Sequence, residues 1–273
     1  MNRLLRGDLV RLSDRAASRT AEEAAEDAEH VRSSTAPAEG PRPISLLASV
    51  RDLDEAREAA TAGADLIDLK EPSAGALGGL PIQDISKIVA ALRSEWPQRS
   101  VSATIGDFDA DDHAGRCAQV VAVAGCGVDY VKAGIEPGPH ASAALRSLAA
   151  LGLPSIVIVF LADRGLDIEL VEEAATLAFS GLMVDTGDKT AGSLLQWTDV
   201  RVLRDLIDVA RRHGRLSGVA GSLRRNDLDL LRRLGPDLAG FRGALCDGDR
   251  RGRLDPLKVR ELRTELRRPM GRG

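Results

Sequence analysis

The stretch Asp65 to Pro72, DLIDLKEP, sets an acid and an amine two residues apart inside an apolar run. On a strand alternate side chains share a face, so Asp68 and Lys70 point one way while Ile67 and Leu69 point the other. A carboxylate and an amine facing one interior can pass protons, and a lysine stripped of water can lose its proton and attack a carbonyl. The same signal recurs downstream: Lys132 in VDYVKAG and Asp185 in LMVDT are expected to end the fourth and sixth strands, and Lys189 follows in the next loop. Of the 37 basic residues only five are lysines, and three of these, Lys70, Lys132 and Lys189, fall at or just beyond the ends of strand-like runs. The other two, Lys87 and Lys258, sit in helical segments. Arginine keeps its proton, so the scarce lysines mark positions where one can leave. Ammonium groups crowded into one pocket disfavour each other's charge, and nearby carboxylates hold what remains. Such an arrangement suits imine-forming, aldolase-like chemistry. A plain rim ion pair is the alternative for any one lysine taken alone.

These residues need elements that aim them at one place. From Ile44 onward, short Val/Ile/Leu runs alternate with amphipathic segments of about 10–15 residues. Eight runs begin at Ile44, Ala64, Val101, Val128, Ser155, Leu182, Leu216 and Leu238. Helices are expected over Asp52–Ala62, Pro81–Arg93, His113–Ala124, Ala141–Leu151, Ile168–Ala178, Asp199–Arg212, Asn226–Leu234 and Pro256–Arg267. Eight strand–helix units of this length predict an α/β fold, a single (β/α)8 barrel of the TIM type over residues 44–273. In that fold, side chains at the carboxyl ends of the strands meet over a packed interior, where Asp68, Lys70, Lys132 and Asp185 would all arrive. Asp129 has the opposite parity to Lys132 and stands at the start of its run, so it reads as structural, as does Asp65.

Two further stretches, VAGSL at Val219 to Leu223 and FRGALC at Phe241 to Cys246, follow the last two runs. Small residues there let backbone amides approach an anion, which makes Gly221, Ser222, Gly243 and Ala244 candidates for a phosphate site. The Gly-bearing loops from Glu71 and from Asp185 are long enough to cover a pocket.

Composition limits the remaining choices. A net charge of −4 with mixed acids and bases gives no nucleic-acid footprint, and no apolar run is long enough for a membrane span or signal peptide. Three cysteines without CxxC spacing make neither a disulfide framework nor a zinc knuckle, which suits a cytoplasmic protein. His30, His113, His140 and His213 form no ligand pair, so no metal is expected. Aromatic residues are only 3% of the chain, so Ala, Val, Leu and Ile must build the core. Residues 1–43, rich in Arg, Ala, Glu and Ser and closing on TAPAEGPRP, read as a flexible N-terminal extension outside the barrel.

The motifs LLASVRDLDEAREAATAGADLIDLKEPSAGALG, VSATIGD, VDYVKAGI, LMVDTGDKTAGSLL, VAGSL and FRGALC together resemble the (5-formylfuran-3-yl)methyl phosphate synthase family, from about Ile44 to Cys246. The resemblance implies a lyase that joins two molecules of glyceraldehyde 3-phosphate into a phosphorylated furan aldehyde, a precursor of methanofuran-type one-carbon carriers. It implies Lys70 as the Schiff-base lysine and Lys132 as proton acceptor, with Asp68, Asp185 and Lys189 completing the charged site. Amides at Gly221 to Leu223 and Gly243 to Leu245 would hold one phosphate, and Arg242 or Lys189 would help the other. No cofactor is implied, the partner is a small triose phosphate, and a homo-oligomer is expected. The leader departs from the family pattern, which begins close to the first strand. A class I aldolase or isomerase, and a phosphosugar-binding regulator without catalysis, are the competing expectations.

Overall fold

The eight apolar runs form eight parallel strands closed into one barrel, in the order β1 to β8 with β8 bonded back to β1, in the computed structural model. The structure describes residues 43–75, 77–187, 192–196 and 198–268. The expected extension, Pro43 apart, and Lys189 lie outside the described residues.

Strands and helices alternate throughout: β1 (Ser45–Val50), α1 (Leu53–Ala62), β2 (Leu66–Leu69), α2 (Ile82–Glu95), β3 (Ser100–Thr104), α3 (His113–Ala124), β4 (Tyr130–Ile135) and α4 (Ala141–Ala149) make the first half. The second half is β5 (Ile156–Leu161), α5 (Ile168–Thr176), β6 (Gly181–Asp185), α6 (Val200–Arg212), β7 (Leu216–Val219), α7 (Leu228–Leu234), β8 (Leu238–Phe241) and α8 (Pro256–Leu266). Aspartates set most of the helix starts. Asp52, Asp112, Asp167, Asp199 and Asp255 each accept a backbone N–H from the first turn of the helix that follows, an arrangement worth about 1 kcal/mol apiece. The expected ends shift by a few residues. α5 stops at Thr176 because Leu177 is extended, and α7 starts at Leu228 because Arg225–Asp227 forms a 3-10 turn.

Strand parity sorts the apolar residues into two shells. Leu46, Ala48, Val50, Ile67 and Leu69 pack outward under the helices with residues such as Ile85, Leu145 and Leu206. Leu47, Leu66, Val157, Val159 and Met183 fill the barrel interior, with Tyr130 and Leu238 against them. With few rings available, the interior relies on a long flexible side chain set against a bare backbone. A Cβ on Gly218 would lie 2.4 Å from Cγ of Met183, so only glycine leaves room for the thioether there.

The floor of the barrel is tied by the two acids expected to be structural. Asp65 accepts from the Leu46 amide at 3.0 Å and pairs with Arg263 and Arg267 at 3.1 and 2.7 Å. Asp129 accepts from the Val101 amide and from Arg93, both at 2.7 Å.

Candidate active site

At the carboxyl end of the strands the inward positions change character. The apolar layer gives way to Ser49, Asp68, Lys70, Ser102, Thr104, Lys132 and Asp185, none more than 6% exposed. Register explains how they meet. Asp68 lies beside Ser49 of β1 and Ser102 of β3, and Thr104 lies beside Lys132 of β4. The Ser49 hydroxyl donates to one carboxylate oxygen of Asp68 at 2.9 Å, the Ser102 hydroxyl to the other at 2.7 Å. Lys132 Nζ stands 2.6 Å from that second oxygen.

Lys70 Nζ is 3.8 Å from Asp185, beyond hydrogen-bonding reach, and Asp185 accepts the Thr186 amide at 2.8 Å. Of the predicted charged set, the structure thus brings Asp68, Lys70, Lys132 and Asp185 into one buried layer. Removing such ions from water costs several kcal/mol each, and good geometry only partly offsets this. A group of this kind is a poor device for stability and a good one for chemistry. Below it, burial, with the charge of Asp129 adding to it, pushes the Tyr130 phenol up from its ordinary pKa, so it stays protonated.

The loop after β2 folds over this layer. Glu71 accepts from the Ser73 amide at 2.8 Å and the Ser73 hydroxyl at 2.5 Å, and the Gly78 carbonyl accepts from the Glu71 amide and from Thr104. Leu77 then drops into the interior, 1% exposed. It rests on Gly134, the next inward position after Lys132, where a Cβ would come within 2.5 Å of it. Burying this one side chain contributes about 1.5–3 kcal/mol toward holding the loop down.

The opposite rim lies at β7 and β8. Gly221 has φ +115 and Ser222 φ +49, and Ser222 is the sole non-glycine with positive φ among the described residues. Such backbone costs on the order of 1–3 kcal/mol and gathers at binding sites. Gly243 and Ala244 open a short 3-10 turn after the neighbouring β8, while Leu223 is buried in the outer apolar shell.

Arg242 has a different task from the one the sequence suggests. Its Nε donates to the Arg250 carbonyl, its two terminal nitrogens to the carbonyls of Ser49 and Gly252, and both to the carboxylate of Glu55 at 2.5 and 3.1 Å. All five N–H groups are used, so none is left for a phosphate. Glu55, fully buried, also accepts the amides of Arg51 and Leu254.

Ser49, Ser102 and Glu55 were not among the residues the sequence singles out. The two serines share inward parity with Leu47 and Thr104, a signal that becomes legible only once the neighbouring strands are in register. Cys246 is buried, and burial raises its thiol pKa, with the nearby charges divided in sign. His113 and His140 lie with ring centres 6.2 Å apart. Among the described residues no group of three or more His, Cys, Asp or Glu could hold a metal ion, and no helix is long and apolar enough to cross a membrane.

Comparison with known proteins places this geometry in context. The family model described as 4-HFC-P synthase matches residues 46–263. The (5-formylfuran-3-yl)methyl phosphate synthase of Methanopyrus kandleri is 36% identical over 237 residues, covering 81% of this chain and 98% of the relative. That of Methanosarcina acetivorans is 33% identical over 240 residues, covering 81% and 99%. Among solved structures, 3-hexulose-6-phosphate synthase from Salmonella typhimurium superposes with a TM-score of 0.56 at 18% identity, over 82% of this chain and 100% of that one. Thiamine phosphate pyrophosphorylase from Pyrococcus furiosus gives 0.57 at 14% identity, over 85% and 98%. The last two share the fold alone. The match across the whole barrel, and relatives above 30% identity over nearly their full length, show that this chain belongs to the 4-HFC-P synthase family of enzymes.

Proposed function

We propose that the protein condenses two molecules of glyceraldehyde 3-phosphate into (5-formylfuran-3-yl)methyl phosphate, releasing inorganic phosphate and water, in the synthesis of a methanofuran-type carrier. The observation that carries this reading is the buried layer in which two lysines and two aspartates share one barrel end in a member of this family. Lys70, which follows β2 and stands 3.8 Å from Asp185, is the amine that forms the imine and so acidifies the adjacent C–H. Lys132, held at 2.6 Å by Asp68, carries the proton between carbons during coupling and elimination. Asp185 offsets the charge of the iminium, and Lys189, outside the described residues, is the further amine assigned to this chemistry. The amides of Gly221 to Leu223 and of Gly243 and Ala244 hold a substrate phosphate. Each step is assigned to the chain's own side chains.

Incubation with glyceraldehyde 3-phosphate should release inorganic phosphate and build a furan chromophore in the near ultraviolet. Borohydride added during turnover should leave an adduct at Lys70 by mass spectrometry, and Lys70→Ala should lower kcat by at least about a thousandfold. Reversible aldol cleavage without phosphate release would overturn the reaction assignment, as would an intact protein that turns nothing over. An adduct at Lys189 would overturn the role of Lys70.

A further inference from the structure

The segment after β8 carries four arginines at positions 242, 250, 251 and 253, and three of them are spoken for. Arg242 is paired with Glu55, Arg251 with Asp249 and Arg253 with Glu58. The Arg250 side chain has no ion pair or hydrogen bond among the described residues, although it is half-buried. Its backbone is fixed from below, because its carbonyl accepts Nε of Arg242 at 2.9 Å. Its own amide and Cβ lie 3.9 Å from where a side chain on Gly243 would begin, so it stands directly over the strand-8 turn. The hairpin holding it is closed by pairing of Cys246 with Leu254 and by the Asp247 amide on the Arg253 carbonyl.

Its charge is felt by acids at the mouth of the barrel. Burial pulls the Arg250 pKa below the ordinary arginine value; Asp185, at the end of β6, and Glu71, after β2, oppose that pull, while Arg242 and Arg251 add to it. It stays charged throughout the working range. A half-buried guanidinium whose fork is unused among the described residues, over the glycine turn at Gly243, matches the geometry and charge of a phosphate ester.

We propose that Arg250 is the side chain that binds the substrate's phosphate group at the β7–β8 rim, and that Arg242 serves to hold it there. The inference rests on the triose-phosphate reading of the site, and it makes Arg250 a determinant of specificity for phosphorylated over free aldehydes.

The test uses Arg250→Ala and Arg250→Lys with the full chain, both checked for native fold by circular dichroism. With no bond of its side chain to break, Arg250→Ala should fold normally; Arg250→Lys, which keeps the charge, serves if it does not. For Arg250→Ala, KM for glyceraldehyde 3-phosphate and the inhibition constant for inorganic phosphate should both rise about 10- to 100-fold, with kcat changed far less. Arg250→Lys should recover part of each, because it restores the charge without the fork. Independently of turnover, inorganic phosphate should raise the Tm of the unaltered protein and raise that of Arg250→Ala much less. If the unaltered protein makes no furan but shows this difference, the reaction assignment falls and the anion site stands. Unchanged KM and an unchanged phosphate response in Arg250→Ala overturn the proposal, as does the absence of any phosphate response in the unaltered protein.

Discussion

Asp68 is the residue on which three strands converge. Its carboxylate takes hydroxyls from β1 and β3 and the amine of Lys132 from β4, so a single side chain fixes where that amine sits. Hydrogen bonds to a charged acceptor are worth about 1.5–3 kcal/mol each. Replacing both Ser49 and Ser102 by alanine should therefore lower kcat by about 10-fold or more, with KM changed less; steady-state kinetics on the double variant checks this. Asp68 and Lys70 were legible in the sequence, because an acid and a lysine at alternate positions break an apolar strand in a way that packing alone does not require. The serines were not, since a lone serine on a strand has no signature until its neighbour's register is known. Arg242 was legible as a cation but not as a structural one. Its partner Glu55 lies on α1 and reads simply as one acid among several on a solvated helix.

At the scale of elements, the loop after β2 is the one that local chemistry shapes most visibly. Burial pushes the Glu71 carboxyl up, but the two bonds from Ser73 and the charges of Arg51 and Arg242 together hold it below its ordinary value of 4.5. A carboxyl lowered by folding stabilises the native state at neutral pH and loses that contribution as pH falls from about 4.5 through its folded value. Unaltered protein should accordingly be more stable than Glu71→Gln at pH 7. The gap should close as pH drops through the carboxylate range, as read by urea denaturation of both proteins across pH. Existence and order of the sixteen elements could be read from alternating periodicities, because each strand is apolar on both faces and each helix on one. Their ends could not be read so closely. The 3-10 turn before α7 and the extended Leu177 answer to packing that no local pattern records.

Across the whole molecule, closure of the ring depends on contacts between its first and last units. β1 bonds to β8, and the buried pair of Glu55 and Arg242 locks α1 to the segment that carries Arg250. Breaking one partner of such a pair costs about 3–5 kcal/mol, because the other charge stays buried alone. Arg242→Met or Glu55→Gln should then lower Tm by about 6–20 °C in a thermal scan. Combining Arg242→Met with Glu55→Leu should cost less than either single change. The barrel itself was plain from eight repeated units, whereas the seam was hidden, since residues so far apart in the chain give no hint of one another.

That distance has a consequence for how the molecule is made. Glu55 and Arg242 are separated by 187 positions. At a ribosomal rate of about 5–20 residues per second, roughly 10–40 s pass between the emergence of one and the other. Through that interval β1 has only β2 beside it, and its other edge is an open template for any passing strand. A nascent chain of this protein is therefore most exposed to mispairing just before synthesis of its final quarter, and slowing translation there should lower the yield of native enzyme more than an equal delay near the beginning.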